Sequence, residues 1–310
     1  MPISLRPGAA KSAPGGPSRG VSRMYVTIFD PTPCALGEGP LFAHGRLFWF
    51  DILNRRLHAR APGAAEAATW SFDEMFSAAG ILPDGELLLA SETGLWRFSP
   101  ETGARERIVA IEADTPVTRS NDGRADRQGG FWIGTMGKGA ETGAGSIWRF
   151  HNGELRRLVE NVTVSNAICF APDGTRGYYA DTGTQKIMTW PLDADGWPAA
   201  EATPFFDFAT LSAFPDGAVT DAEGALWVAL WGSAKAVRIR PDGTLDTEIA
   251  LPARQPTCPA FGADLTTLYL TSARQGLDEA ALTERPASGN VFEATIPIPG
   301  LPEPTVILVT

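Results

Sequence analysis

The chain predicts an all-β fold, a six-bladed β-propeller of four-stranded antiparallel blades around a central channel. Three observations carry this. One short apolar phrase recurs six times at intervals of 40, 44, 46, 49 and 42 residues. Turn signals bracket every copy. Helical periodicity is confined to a stretch around Leu277–Leu282.

The phrase reads GRLFWFD from Gly45, GELLLAS from Gly85, GGFWIGT from Gly129, TRGYYAD from Thr175, GALWVAL from Gly224 and TTLYLTS from Thr266. A turn with Gly or Thr opens each copy, and the bulky apolar and aromatic residues behind it suit a strand. A further strand follows after a tight turn, as in RRLHARA from Arg55, TGLWRFS from Thr93, GSIWRFH from Gly145 and KAVRIRP from Lys235. A preceding strand ends in ILPDGE, ICFAPDG, AVTDAEG or FGADLT, where Pro-Asp and Asp-Gly pairs favour reversal. Repeats of 40–50 residues with about four strands each are the pattern of a propeller. Two terminal segments compete to finish the sixth blade, YVTIFD (Tyr25–Asp30) and the C-terminal TVILVT. One of them completes it, because closure removes an exposed sheet edge.

The repeats unite residues 24–310 into one propeller domain, and 44% apolar residues in 310 supply a sizeable core. Residues 1–23 differ: they hold four basic and no acidic residues among Pro, Gly, Ser and Ala, and lack the apolar stretch of a secretory signal. A disordered tail is expected there, with Met24 opening the first strand-like segment. Lys and Arg number 26 against 36 Asp and Glu, a net charge of −10. Such a balance disfavours nucleic acid and anionic membrane surfaces as partners. Cys34, Cys169 and Cys258 are odd in number and widely spaced, so buried thiols in a reducing, cytoplasmic compartment are expected rather than disulfides. No run of 18 apolar residues occurs. A monomer or weak oligomer is expected.

The inner strand of each blade lines the channel, so residues at one offset in different repeats face one another. Seven to ten positions before the repeated phrase stand Glu38 (LGEGP), Asn121 (RSNDGRAD), Asn166 (VSNAICF) and Asp216 (FPDGAVTD). Blades two and six offer the uncharged neighbourhoods Met75–Ser77 and Thr257–Cys258. Two carboxylates and two amides at one level make an all-oxygen cation site, suited to calcium, magnesium or manganese and open to zinc or ferrous iron. With only His44, His58 and His151 in the chain and no HExxH spacing, a His-rich zinc site is excluded. Read singly, the PDG and NDG tripeptides are ordinary turn chemistry. Their recurrence at equal register in four of six repeats favours a metal site.

The segments LGEGPLF, RSNDGRADRQGGFWIGTM, VSNAICFAPDG, FPDGAVTDAEGALWVA and LYLTSAR resemble the gluconolactonase, or regucalcin and senescence-marker-protein, family from about Tyr25 to Ile296. The resemblance implies a six-bladed propeller with one divalent ion and aldonolactone hydrolase activity. By position it implies Glu38, Asn166 and Asp216 as metal ligands and Arg119 and Asn121 as a substrate-contacting pair, with Asp122 accompanying them. Tyr179 and Asp181 match a further family pattern near the pore. One stretch departs: where some members carry a substrate-reaching glutamate three residues beyond the TM of blade three, this chain has Lys138 and Gly139. The substrate preference of those members does not carry over.

A lactone is a cyclic ester, and its hydrolysis needs a polarised carbonyl and an activated water, both of which a divalent ion supplies. Asp216 is the candidate to take the water's proton, and Arg119 to hold a lactone oxygen. GxSxG is absent, so no serine nucleophile elbow is expected. The loops GKGAETGAG and ARQGLDEAALTERPASG are candidate lids at the mouth. Three other readings stand beside the sugar lactonase: a promiscuous esterase or organophosphate hydrolase on the same site, a calcium-binding regulatory propeller, and a protein-interaction platform.

Overall fold

A computed structural model describes residues 24–308; the tail expected over residues 1–23 and the last two residues lie outside the described residues. Six four-stranded antiparallel sheets form a ring. The inner strands are Gly37–Ala43, Phe76–Ile81, Thr118–Ala125, Ser165–Phe170, Phe214–Thr220 and Gln255–Phe261, one for each of blades one to six. Each copy of the recurring phrase forms the second strand of its blade, as Arg46–Asp51 does in blade one and Leu226–Trp231 in blade five. In blades one to five the strands follow chain order from the axis outward.

Blade six is closed by the N-terminal segment. Val26–Asp30 pairs antiparallel with Val291–Thr295, with Val26 opposite Ala294 and Ile28 opposite Phe292. The described part of the C-terminal TVILVT, residues 305–308, takes a different course. Residues 297–308 run as an extended strap across the end of the channel where the inner strands finish. Ala222 N–H donates to Pro299 O at 2.9 Å, Val306 N–H to Ile81 O at 2.8 Å and Ile307 N–H to Gly129 O at 2.8 Å. Pro297, Pro299, Pro302 and Pro304 remove the N–H groups an outer strand would need, which favours an extended coil over a ladder. Halfway along it, Glu303 forms a buried ion pair with Arg124 of blade three.

The core lies between the blades. Phe48, Phe50, Phe76, Leu87 and Leu89 fill the space between blades one and two, and Tyr178, Leu226 and Val228 that between blades four and five. Each such side chain contributes about 1.5–3 kcal/mol on burial. Blades three and five share a polar device. Asp126 Oδ2 accepts Arg149 Nε at 2.7 Å and Trp132 Nε1 at 2.8 Å. Asp221 Oδ2 does the same with Arg238 Nε at 2.7 Å and Trp227 Nε1 at 3.1 Å. In each case the acid locks three strands together just beyond the inner strand.

The helical pattern near Leu277–Leu282 becomes one short helix, Glu279–Glu284, capped by Asp278. Its segment is tied to neighbouring blades, with Arg285 Nη1 donating to Leu251 O at 2.9 Å and Arg254 N–H to Ser288 Oγ at 3.1 Å. No helix of the described residues is long and apolar enough to cross a membrane.

Candidate active site at the head of the channel

Every inner strand slips register with its neighbour at the same level. The shifts fall between Glu38 and Leu41, Phe76 and Ala78, Ser120 and Gly123, Asn166 and Cys169, Pro215 and Ala218, and Pro256 and Pro259. A bulge frees residues from the ladder and re-aims their side chains. Glu38, Asn121, Asp122, Asn166 and Asp216 all sit at or inside these bulges, and all are buried.

The bulges crowd together at the axis. Gly39 adopts φ 53°, and a Cβ there would collide with the Ser77 carbonyl. A Cβ at Gly217 would strike the Cys258 side chain. Ala167, directly after Asn166, holds a left-handed φ of 54° despite its side chain. Such a conformation costs about 1–2 kcal/mol and persists where the surroundings impose it.

A chain of hydrogen bonds orders the amides. Arg119 Nη1 donates to Asn121 Oδ1 at 2.7 Å and to Ser120 O at 2.8 Å. Asn121 Nδ2 donates to Ser165 O at 2.8 Å and to Asn166 Oδ1 at 3.1 Å. Asn166 Nδ2 donates to Thr182 Oγ1 at 2.8 Å, which in turn donates to Pro215 O at 2.8 Å. Thr182 therefore fixes which end of the Asn166 amide presents oxygen. Uncharged blades two and six contribute hydroxyls, Ser77 donating to Ser120 at 2.7 Å and Thr257 to Gly37 O at 2.6 Å.

The carboxylates are left largely to each other. Glu38 accepts only the Gly39 N–H, at 3.0 Å, and keeps its other oxygen free of protein donors among the described residues. Burial and then the charge of Asp122 push Glu38 up to about 8. Burial, followed by the charges of Glu38 and Asp122, raises Asp216 well above the usual carboxylate range. Asp122 is pushed up to about 6, chiefly by burial, and its Oδ2 accepts Ile168 N–H at 2.7 Å, tying blade three to blade four. Asp122 also lines a cavity of about 10 Å³ beside Arg124 and Glu303, room for one water. Burial pulls Arg119 down to about 10, against the opposing pull of Glu38, Asp216 and Glu92.

Glu38 and Asp216 thus share Arg119 as their counter-charge, while Asp122, whose own counter-charge is Arg124, adds its field to both. Carboxylates buried so close together are costly unless a cation joins them. The donors suit a hard divalent ion: a free Glu38 oxygen, Asp216 and the fixed Asn166 Oδ1. No group of three His, Cys, Asp or Glu side chains that could hold a metal ion occurs among the described residues, so an ion held here would draw on the Asn166 amide oxygen beside Glu38 and Asp216.

Tyr179 does not turn into the channel; it stacks on Trp190 with ring centres 4.4 Å apart. Asp181 serves the backbone, accepting Thr163 N–H at 2.9 Å and Val164 N–H at 3.1 Å. That contact steadies the loop ahead of Ser165 and Asn166. Thr182, next in the chain, is the contributor the sequence reading missed; a lone threonine after a strand carries no signal by which to find it.

Comparison with known proteins places this site in context. Residues 36–274 match the model of the SMP-30/gluconolactonase/LRE-like region. A 6-deoxy-6-sulfogluconolactonase of Pseudomonas putida is 34% identical, over 88% of this chain and 95% of its own length. An L-arabinolactonase of Azospirillum brasilense is also 34% identical, over 87% of this chain and 91% of its own. The crystal structure of regucalcin, a calcium-binding protein of Agrobacterium tumefaciens, superposes with a TM-score of 0.89 at 40% identity, covering 93% of this chain and 98% of that one. The chain therefore belongs to the SMP-30/gluconolactonase/LRE-like family.

Proposed function

We propose that the protein is a hydrolase that opens a sugar-derived lactone to the corresponding sugar acid, using one divalent cation held by Glu38, Asn166 and Asp216. The observation that carries this reading is the convergence of two buried carboxylates and one oriented amide oxygen beside a single guanidinium. The lactonases among the relatives support the same reaction class.

The cation, when bound, polarises the ester carbonyl and lowers the pKa of water. The chain's own residues supply the rest. Asp216 accepts the proton of the attacking water. Arg119 commits Nη1 to Ser120 and Asn121, while its other N–H groups make no protein hydrogen bond among the described residues. Those groups donate to a lactone oxygen and stabilise the charge that grows there. Asn121 has both ends of its amide engaged, so it positions Arg119 and the Asn166 oxygen and leaves one lone pair for a substrate hydroxyl. Asp122 acts from the strap side, holding blade four through Ile168. Three buried free thiols fit a cytoplasmic protein, and a monomer suffices because every proposed site residue comes from one chain.

A pH-indicator screen of five- and six-membered aldonolactones, run on metal-stripped protein with single ions added back, tests the proposal. Spontaneous opening is subtracted. Turnover that appears only with a divalent ion is the expected result. Full activity in verified metal-free protein would remove the cation from the mechanism, and ion binding without turnover of any lactone would favour a calcium-binding regulatory role.

A further inference from the structure

One ion pair near Arg119 has no part in the hydrolysis just described. Glu92 follows the second strand of blade two, Leu87–Ser91, and Lys138 follows that of blade three, Phe131–Gly137. Both strands end level with the beginnings of the inner strands, Ser91 opposite Phe76 and Gly137 opposite Thr118. This is the end of the channel that holds Glu38 and Asp216. There Lys138 Nζ pairs with the Glu92 carboxylate across the two blades. The backbone pins both residues: Met75 N–H donates to Glu92 Oε1 at 2.9 Å, and Lys138 N–H to Val117 O at 2.8 Å. The Glu92 side chain is 12% exposed and that of Lys138 35%, so the pair stands at the boundary between channel and solvent. Glu92 is near enough for its charge to act on the buried Arg119.

The cation at the rim is matched: Lys138 has Glu92. A substrate tail reaching the rim therefore meets a donor and an acceptor side by side, with no cation in surplus. A hydroxyl can use both. A carboxylate, phosphate or sulfonate would gain one donor and confront the Glu92 charge at short range, where screening by water is reduced.

Building on the lactonase reading, we propose that Glu92 is a specificity-determining residue: by matching Lys138 it selects lactones whose exocyclic chain ends in a hydroxyl over those ending in an anionic group. Removing its charge releases Lys138 to bind such an anion.

The test compares kcat/KM for a six-carbon lactone ending in a carboxylate with that for the lactone ending in a hydroxymethyl group, both on the same preparation. Because the two rates are divided, any loss of folded enzyme cancels. Wild-type protein should favour the hydroxymethyl lactone. Glu92→Gln keeps an acceptor for Met75 N–H and should raise the acidic-to-neutral ratio about tenfold, mainly through KM for the acidic lactone. Lys138→Gln leaves Glu92 unmatched and should lower the ratio below wild type. A wild-type preference for the acidic lactone, or a ratio moved by less than threefold in both variants, overturns the proposal while leaving the lactonase reading intact. Failure of the wild type to hydrolyse either lactone, with divalent ion present, overturns the lactonase reading and this inference with it.

Discussion

Replacing Glu38 by glutamine should move stability in opposite directions with and without the metal. Burial, followed by the charge of Asp122, pushes the Glu38 carboxyl from 4.5 up to about 8 in the metal-free fold. The folded state therefore holds the proton more tightly than the unfolded chain. Stability is untouched below about pH 4.5, falls as pH rises from there, and levels off above about 8. Integrated to pH 7, ionising Glu38 costs the metal-free protein about 3 kcal/mol. Glu38→Gln keeps an acceptor for Gly39 N–H and removes the titration. In chelator at pH 7 the variant should thus be about 3 kcal/mol more stable than wild type, roughly 5 °C in Tm. At pH 4 the two should melt together. Saturating cation reverses the order: an ion at about 1,000 times its Kd stabilises the wild type by about 4.1 kcal/mol, and the variant, lacking a charged ligand, by far less. Thermal melts at both pH values, in chelator and in saturating calcium, manganese or zinc, read all four conditions. A variant that melts below wild type in chelator at pH 7, or that gains as much from the cation, would refute the reasoning.

Further outcomes follow from other parts of the molecule. Asp216→Asn should lower kcat by about 10³, some 4 kcal/mol of transition-state stabilisation, and excess ion should not restore it; recovery at high metal would make Asp216 a ligand alone. Glu303→Gln strands the Arg124 guanidinium in the channel and should cost about 3–5 kcal/mol in urea unfolding. Most of that loss should return in the double variant Arg124→Met/Glu303→Met, and a double variant as weak as the single would show that the strap acts through some other contact. Deleting residues 2–23 should leave Tm and turnover unchanged, so a fall of several degrees would mean that this segment packs on the propeller.

The six blades were legible because each repeat must bury its own apolar strand against the next, which writes the same phrase into the chain six times. The level of Glu38, Asn166 and Asp216 was legible for the same reason: equal offsets in equal repeats meet at the axis. The bulges were not, since a slip of register changes which atoms pair without changing which residues are apolar. The contacts of Tyr179 and Asp181 were not legible either, because sequence shows their strand but not the side of it that faces Trp190 or the Thr163 loop. The choice between two terminal strands for blade six turned on proline. TVILVT has the composition of a strand, yet the prolines before it hold the chain in an extended path across the channel end. The Asp–Trp–Arg devices were written in the chain as an acid six residues ahead of a tryptophan, at Asp126 and Trp132 and again at Asp221 and Trp227. That recurrence marks scaffolding rather than chemistry.

The closure of blade six by Val26–Asp30 sets an order of events during synthesis. This strand leaves the ribosome about 260 residues ahead of its partner Val291–Thr295. At about 5–20 residues per second, the first strand waits on the order of ten seconds or longer for its mate. Throughout that interval its unpaired edge, with Tyr25 and Ile28 still exposed even in the finished fold, is open to a second nascent chain on the same message. The hazard is exchange of the first strand between neighbouring chains, giving dimers in which each ring is completed by the other's N-terminus. Slow translation of the last blade should increase their yield, and a chain circularly permuted to begin at Gly37, with Val26–Asp30 joined behind its C-terminus, should form none.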